Sequence, residues 1–205
     1  MTPPPPVRVA VMASGSGTNL QALLDALNGR PDAPARVTRV VSNRADAGAL
    51  ERARRAGVAA VSLADPADPA QCLAALGDAQ LVVLAGYLKL VPAPVVSRFR
   101  WRMINIHPAL LPDFGGPGMY GARVHQAVLA SGRAESGASV HYVTEEYDRG
   151  AVIARARVPV RAGDTPDTLG ARVLAAEHEL LPRVVVALAR AGLPDRALRL
   201  EESER

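Results

Sequence analysis

The chain predicts an α/β fold: a single domain built on a doubly wound, Rossmann-like, mostly parallel sheet with helices on both faces. Three observations predict it. Apolar runs of strand length alternate with helically spaced apolar residues through roughly the first half of the chain. One of those runs, Leu81 to Ala85 (Leu-Val-Val-Leu-Ala), is apolar at every position, as a strand covered on both faces is. Finally, a turn rich in glycine and serine, Ala13 to Gly17, links the first strand to the first helix.

Taken in order, Val7 to Met12 (Val-Arg-Val-Ala-Val-Met) reads as a buried strand. Thr18 to Leu27 reads as a helix with apolar residues at Leu20, Leu23, Leu24 and Leu27. A strand at Val37 to Ser42, a helix around Ala47 to Ala56, a strand at Val58 to Leu63 and a short helix at Pro69 to Leu76 follow. After the apolar strand Leu81 to Ala85, a short helix near Ala93 to Phe99 leads to a strand at Arg102 to Ile106. Beyond Pro108 the pattern changes. Leu110 to Gly121 is loop, Ala122 to Ser131 is helical, and Ala138 to Val143 and Val152 to Val160 are strands joined through a loop bearing Asp148. A long amphipathic helix is expected from Thr165 to Ala191, adjusted at Pro182, with a final edge strand at Leu198 to Leu200. Residues 1–6 read as a disordered tail and 201–205 as a polar one, leaving 7–200 as the domain. Within it, 7–107 form a phosphate-binding half, and 108–200 form a half carrying the later loops and the long helix.

Composition excludes several classes. The one cysteine, Cys72, cannot form an intramolecular disulfide or a Cys-based zinc site. His107, His125, His141 and His178 have no paired short spacing, so no metal is expected. No apolar run approaches the ~20 residues of a membrane-spanning helix, and the start lacks the parts of a signal peptide, so a cytoplasmic protein is expected. Net charge is +4, yet the arginines are scattered among acids and aromatics make up only 3%, which argues against nucleic acid. Lys89 is the only lysine.

The turn Ser14-Gly15-Ser16-Gly17-Thr18-Asn19 presents glycines and helix-start N–H groups, a setting that favours an anion. A dinucleotide site is disfavoured, because Gly15-x-Gly17-x-x-Leu20 lacks the third glycine and the second strand ends Val41-Ser42-Asn43 without an acid. No Gly-Lys-Ser/Thr of a nucleotide P-loop is present either. A single phosphate monoester fits better, beside the plain reading of a tight turn with a helix cap.

Asn105-Ile106-His107-Pro108 and, 41 residues after His107, Asp148 carry the chemistry. Singly, each has a bland reading: a strand-end amide, an inert histidine before proline, a turn aspartate. Together they are an oxyanion donor, a proton carrier and an orienting carboxylate. Asn105 and His107 lie two apart, so a strand puts both side chains on one face. Asn105 would stabilise the oxyanion formed when an amine attacks an acyl carbon. His107, made more basic by Asp148, would take up charge as the amine loses its proton. Ser14, Ser16 and Cys72 are placed elsewhere, so the nucleophile is expected from the substrate.

Here the chain resembles a known family. Asn105-Ile106-His107-Pro108-Ala109-Leu110-Leu111-Pro112, with Ser139-Val140-His141-Tyr142-Val143 and Asp148-x-Gly150, is similar to the folate-dependent formyltransferases. Ser14-Gly15-Ser16-Gly17-Thr18-Asn19-Leu20-Gln21 and Ser42-Asn43-Arg44-Ala45-Asp46-Ala47 look like the branch that formylates phosphoribosylglycinamide in purine synthesis, and the likeness runs over roughly residues 7 to 193. The resemblance implies 10-formyltetrahydrofolate as donor cosubstrate and 5′-phosphoribosylglycinamide as acceptor, with hydrolysis of the donor or formylation of another amine as the alternative. Asn105, His107 and Asp148 would be catalytic, and Gly17, Thr18 and Asn19 would hold the phosphate. Glu177 would bind the ribose hydroxyls, while Leu88, Lys89, Leu90, Val91 and Asn105 would contact the donor, over which the loop Thr144 to Asp148 would close. A monomer or weak homodimer is expected. Departures from the family pattern include Lys89 where arginine is frequent, Arg149 where glycine is common, Leu174 at a position polar in some relatives, no arginine in 65–71, and a longer loop at 115–121.

Overall fold

A computed structural model describes residues 4–200; the expected tail at 201–205, and residues 1–3 of the amino-terminal one, lie outside the described residues. Pro4 to Pro6 are exposed and outside any helix or strand. In chain order the elements are β1 (Val7–Met12), α1 (Thr18–Leu23), β2 (Ala35–Ser42), α2 (Gly48–Arg55), β3 (Ala59–Ser62), α3 (Pro69–Leu76) and β4 (Leu81–Leu84). Then come α4 (Ala93–Arg98), β5 (Met103–His107), α5 (Ala122–Ala130), β6 (Glu135–Tyr142), β7 (Val152–Pro159) and α6 (Pro166–Arg190).

The strands form one seven-stranded sheet in the order β3-β2-β1-β4-β5-β6-β7. Pairing is parallel from β3 through β5, while β6 runs antiparallel to β5 and β7 antiparallel to β6. The alternation in β1 shows why the sheet is covered twice. Val9 and Val11 enter the core built with α1, α2, α5 and α6, while Ala10 and Met12 enter the core built with α3 and α4. Helices therefore lie on both faces, as expected for a doubly wound sheet. Among the described residues no helix is long and apolar enough to cross a membrane.

Several boundaries differ from the sequence expectation. The first helix is α-helical only to Leu23 and continues as a wider π-helical turn, Leu24–Asn28, at whose end the Asn28 amide bonds both backbone groups of Val37 at 2.9 Å. β2 starts two residues early because Ala35 and Arg36 pair with Val7 and Arg8. β6 starts at Glu135, extended by its ladder with β7 rather than by any apolar pattern of its own. β5 includes His107. Leu198 to Leu200 is not a strand: Leu198 N–H bonds the Tyr142 hydroxyl instead of a backbone carbonyl, and only Leu200 N–H reaches β7, at the Ile153 carbonyl. The Tyr142 ring also meets Trp101 edge to face, 5.1 Å between centroids.

Candidate active site

β1 has β2 on one side and β4 on the other, so the strand order reverses beside it. Doubly wound sheets hold ligands beyond the carboxyl ends of the strands at such a point. A cleft of about 660 Å³ opens there, lined among others by Asn19, Leu84, Gly86 to Val91, Asn105 to Pro108, Gly116 to Ala122, His141, Asp148 and Glu177.

Asn105, His107 and Asp148 come together. Asn105 and His107 project from one face of β5, and Asp148 reaches both from the loop between β6 and β7. Asp148 sits at φ 55°, a left-handed turn that aspartate tolerates better than most residues. Two residues on, Gly150 packs so tightly that a β-carbon there would lie 1.7 Å from the Tyr142 carbonyl oxygen.

Proton positions follow from the carbonyls, which only accept. His107 Nε2 lies 2.8 Å from the Phe114 carbonyl and donates to it. The other nitrogen, Nδ1, faces Asp148 Oδ2 at 3.5 Å. Nδ1 is thus where a neutral His107 takes up a proton, and the carboxylate stands ready to pair with the resulting imidazolium. His141 Nδ1 donates in the same way to the Tyr142 carbonyl at 2.8 Å, which leaves its Nε2 to accept from Asn105 Nδ2 at 3.0 Å. The second hydrogen of Asn105 Nδ2 goes to Asp148 Oδ1 at 3.3 Å. Both amide hydrogens are committed in this state, so stabilising an acyl oxygen requires exchanging one, and the bond to Asp148 is the longer.

Burial pushes the His107 imidazole below its ordinary value and outweighs the upward pull of Asp148 and the Phe114 carbonyl. Asp148 acts in the expected direction, but the net result is a less basic His107, contrary to the sequence expectation. Burial is also the largest single influence on Asp148 and pushes it up. The neighbouring His141 and His107 rings and the Gly116 N–H at 2.9 Å together outweigh it, so the carboxyl sits below its ordinary range.

Across the cleft, Asn19 Nδ2 donates to Glu177 Oε2 at 2.7 Å, joining the start of α1 to the middle of α6. Asn19 Oδ1 is buried with no partner. Burial pushes the Glu177 carboxyl up to about 7, against the lowering effect of the Asn19 bond.

Leu88, Lys89, Leu90 and Val91 all line the cleft, as do Asn19 and Glu177; Gly17 and Thr18 are not among its lining residues. Gly17 has a packing reason of its own, since a β-carbon there would lie 2.7 Å from Ala49 Cα. Sequence reasoning did not assign His141 to the catalytic group. Its signal is the β5–β6 register, which pairs Asn105 with His141, and that register is not visible before the strands are known to be neighbours. The Phe114 carbonyl and Gly116 N–H are backbone groups and leave no residue-type signal. Among the described residues no group of three or more His, Cys, Asp and Glu side chains is arranged to hold a metal ion.

Comparison with known proteins gives this geometry a family. A family model described as formyl transferase matches residues 7–185. The chloroplastic phosphoribosylglycinamide formyltransferase of Arabidopsis thaliana is 41% identical over 195 residues, which cover 88% of this chain. The chain spans 65% of the length of that plant relative. The phosphoribosylglycinamide formyltransferase of Escherichia coli (strain K12) is 40% identical, with 87% of this chain and 85% of that protein covered. Among solved structures, glycinamide ribonucleotide transformylase 1 from Symbiobacterium toebii superposes with a TM-score of 0.82 at 43% identity, covering 91% of this chain and 89% of that one. With residues 7–185 matched and the cleft at the expected edge of the sheet, the chain belongs to the formyl transferase family.

Proposed function

We propose that the protein transfers a formyl group from 10-formyltetrahydrofolate to the amine of 5′-phosphoribosylglycinamide, a step of purine biosynthesis. The observation that carries the proposal is a cleft in which Asn105, His107 and Asp148 converge. The Ser14 hydroxyl is engaged with Asn43 and with the Leu88 N–H, and Cys72 is buried in the core under α3 and α4. Neither supplies the attacking group, which in this proposal is the amine of the acceptor.

The residues present fit both substrates. Asn19 Oδ1 without a partner, and a Glu177 carboxylate with one hydrogen bond, leave acceptors for the two hydroxyls of a ribose. The start of α1 has no side-chain cap, so its N–H groups remain for the phosphate. Leu84, Leu88, Leu90, Val91 and Val143 give the cleft an apolar side suited to a flat heteroaromatic ring, and its volume lies in the range of small-molecule sites. The donor supplies the formyl carbon. As the acceptor amine bonds to that carbon, Asn105 holds the formyl oxygen as it gains charge, His107 Nδ1 receives the proton released by the amine and Asp148 pairs with the imidazolium. Collapse then breaks the carbon's bond to the donor nitrogen, which leaves with that proton.

A spectroscopic assay with 10-formyltetrahydrofolate, with and without phosphoribosylglycinamide, tests the proposal. Donor consumption that requires the acceptor is the expected result. Equal consumption with water alone would make the protein a hydrolase, and binding without turnover would remove the catalytic role.

A further inference from the structure

A second cavity, of about 380 Å³, opens at the amino-terminal edge of the parallel strands. Arg8 lies in β1, Gln80 immediately precedes β4, Arg102 immediately precedes β5, and Gly77 and Phe99 follow α3 and α4. Its walls therefore stand at the opposite edge of the sheet from Asn105 and His107. Strands of this length separate the two edges by roughly 15–20 Å.

Arginine is the commonest residue lining this cavity. Arg8, Arg98 and Arg102 line it. Arg39 leans on Gly77 of the same wall, where a β-carbon would lie 2.8 Å from the guanidinium carbon. Arg98 and Arg102 each set the guanidinium carbon 6.0 Å from the centroid of the Phe99 ring. Arg102 is held further by donating to the Arg98 carbonyl at 3.1 Å. Among the described lining residues one carboxylate answers them: Asp78 pairs with Arg8 at 2.9 Å, and its side chain is largely exposed. Among the lining residues three guanidiniums meet one carboxylate, an excess of two positive charges. The carboxyl ends of α3 and α4 offset part of that charge through their dipoles, an effect confined to the last turn. Such a gathering of like charge, with Arg98 and Arg102 braced on one ring, lowers its energy by taking up an anion.

We propose that this arginine-lined cavity is a second ligand site, for a small molecule carrying two or more adjacent phosphate groups. A planar guanidinium pairs with two phosphate oxygens at once, and the lining arginines come from β1, from α4 and from the residue before β5. The volume lies at the low end for small-molecule sites. A nucleic-acid strand fits less well, because Phe99 is only 5% exposed and offers no face on which a base could stack.

Titration calorimetry of the full chain with pyrophosphate tests the site. The protein should bind pyrophosphate more tightly than inorganic phosphate. The Arg98→Ala/Arg102→Ala variant should bind it at least tenfold more weakly with formyl-transfer turnover unchanged, and Arg98→Lys/Arg102→Lys should fall between. On the unmodified protein, pyrophosphate should shift the amide resonances of residues 98–102, which keeps the test decisive if the alanine variant does not fold. Equal binding by the parent and the alanine variant, resonance shifts confined to the turn at Gly15, equal affinity for phosphate and pyrophosphate, or no binding would each overturn the proposal.

Discussion

At the scale of single residues, the site is a set of hydrogen bonds gathered around the Asn105 amide, the Asp148 carboxylate and the His107 ring. Asn105 donates to His141 and Asp148, His107 donates to the Phe114 carbonyl, and Gly116 N–H completes the carboxylate. Removing one member strands its partners, so His107→Ala and Asp148→Ala should each lower kcat by about 10²–10⁴-fold while circular dichroism stays native. Turnover close to that of the parent in either variant would rule out the assigned role. The direction of the His107 shift adds a pH test. With the imidazole held below 6.5, the neutral form persists into mild acid, and the acid limb of kcat/KM should fall below pH 6.5. Glu177 also titrates near neutrality, so the profile is best recorded in Glu177→Gln, and a limb at or above 6.5 there would exclude His107 as the base. Asn105 and His107 were legible from the sequence because a two-residue spacing on a strand is a local geometric fact. The downward His107 shift was not, because it depends on how completely the loop at 110–121 covers the ring.

At the scale of elements, the β6–β7 hairpin decides where the carboxylate stands. Its loop leaves β6 beside Met103, where Val143 N–H bonds the Met103 carbonyl, and turns at Asp148. Gly150 lets that turn close against Tyr142. A methyl group in its place meets backbone, which cannot rotate aside as a side chain can, so Gly150→Ala should cost about 1–3 kcal/mol of stability and displace Asp148. Urea denaturation and a turnover assay read the two effects, and unchanged kcat in a destabilised variant would show that the turn does not set the carboxylate. Elements whose apolar pattern is self-contained, such as β1, α3 and α6, were legible with bounds close to those observed. Those whose length is set by a partner were not. Glu135, Ser136 and Gly137 join β6 only because β7 runs beside them, and Leu198 to Leu200 failed as a strand because the Tyr142 hydroxyl takes the first N–H.

At the scale of the whole molecule, the cleft is joined across the fold by one buried bond, Asn19 to Glu177, which ties the first helix to the last. A carboxyl raised to about 7 in the folded protein, from 4.5 in the unfolded chain, favours folding most while it is protonated. Its contribution is fully present below about pH 4.5 and is lost as pH rises toward 7. The full effect is on the order of 3 kcal/mol. Glu177→Gln should therefore raise the melting temperature at pH 8 relative to the parent and leave the two close at pH 4.5. A constant difference across that range would remove the carboxyl as its source. The doubly wound architecture was legible from alternation alone, whereas the arginine-lined cavity was not, because Arg8, Arg39, Arg98 and Arg102 meet only once the strands are stacked in order. One contact has a practical consequence for watching the molecule at work. Trp101, the only tryptophan in the chain, rests edge-on against Tyr142, and Tyr142 in turn bonds His141 through its carbonyl and Leu198 through its hydroxyl. The protein thus carries a built-in optical probe, whose emission follows the strand bearing His141 and the chain end that crosses it without any added label.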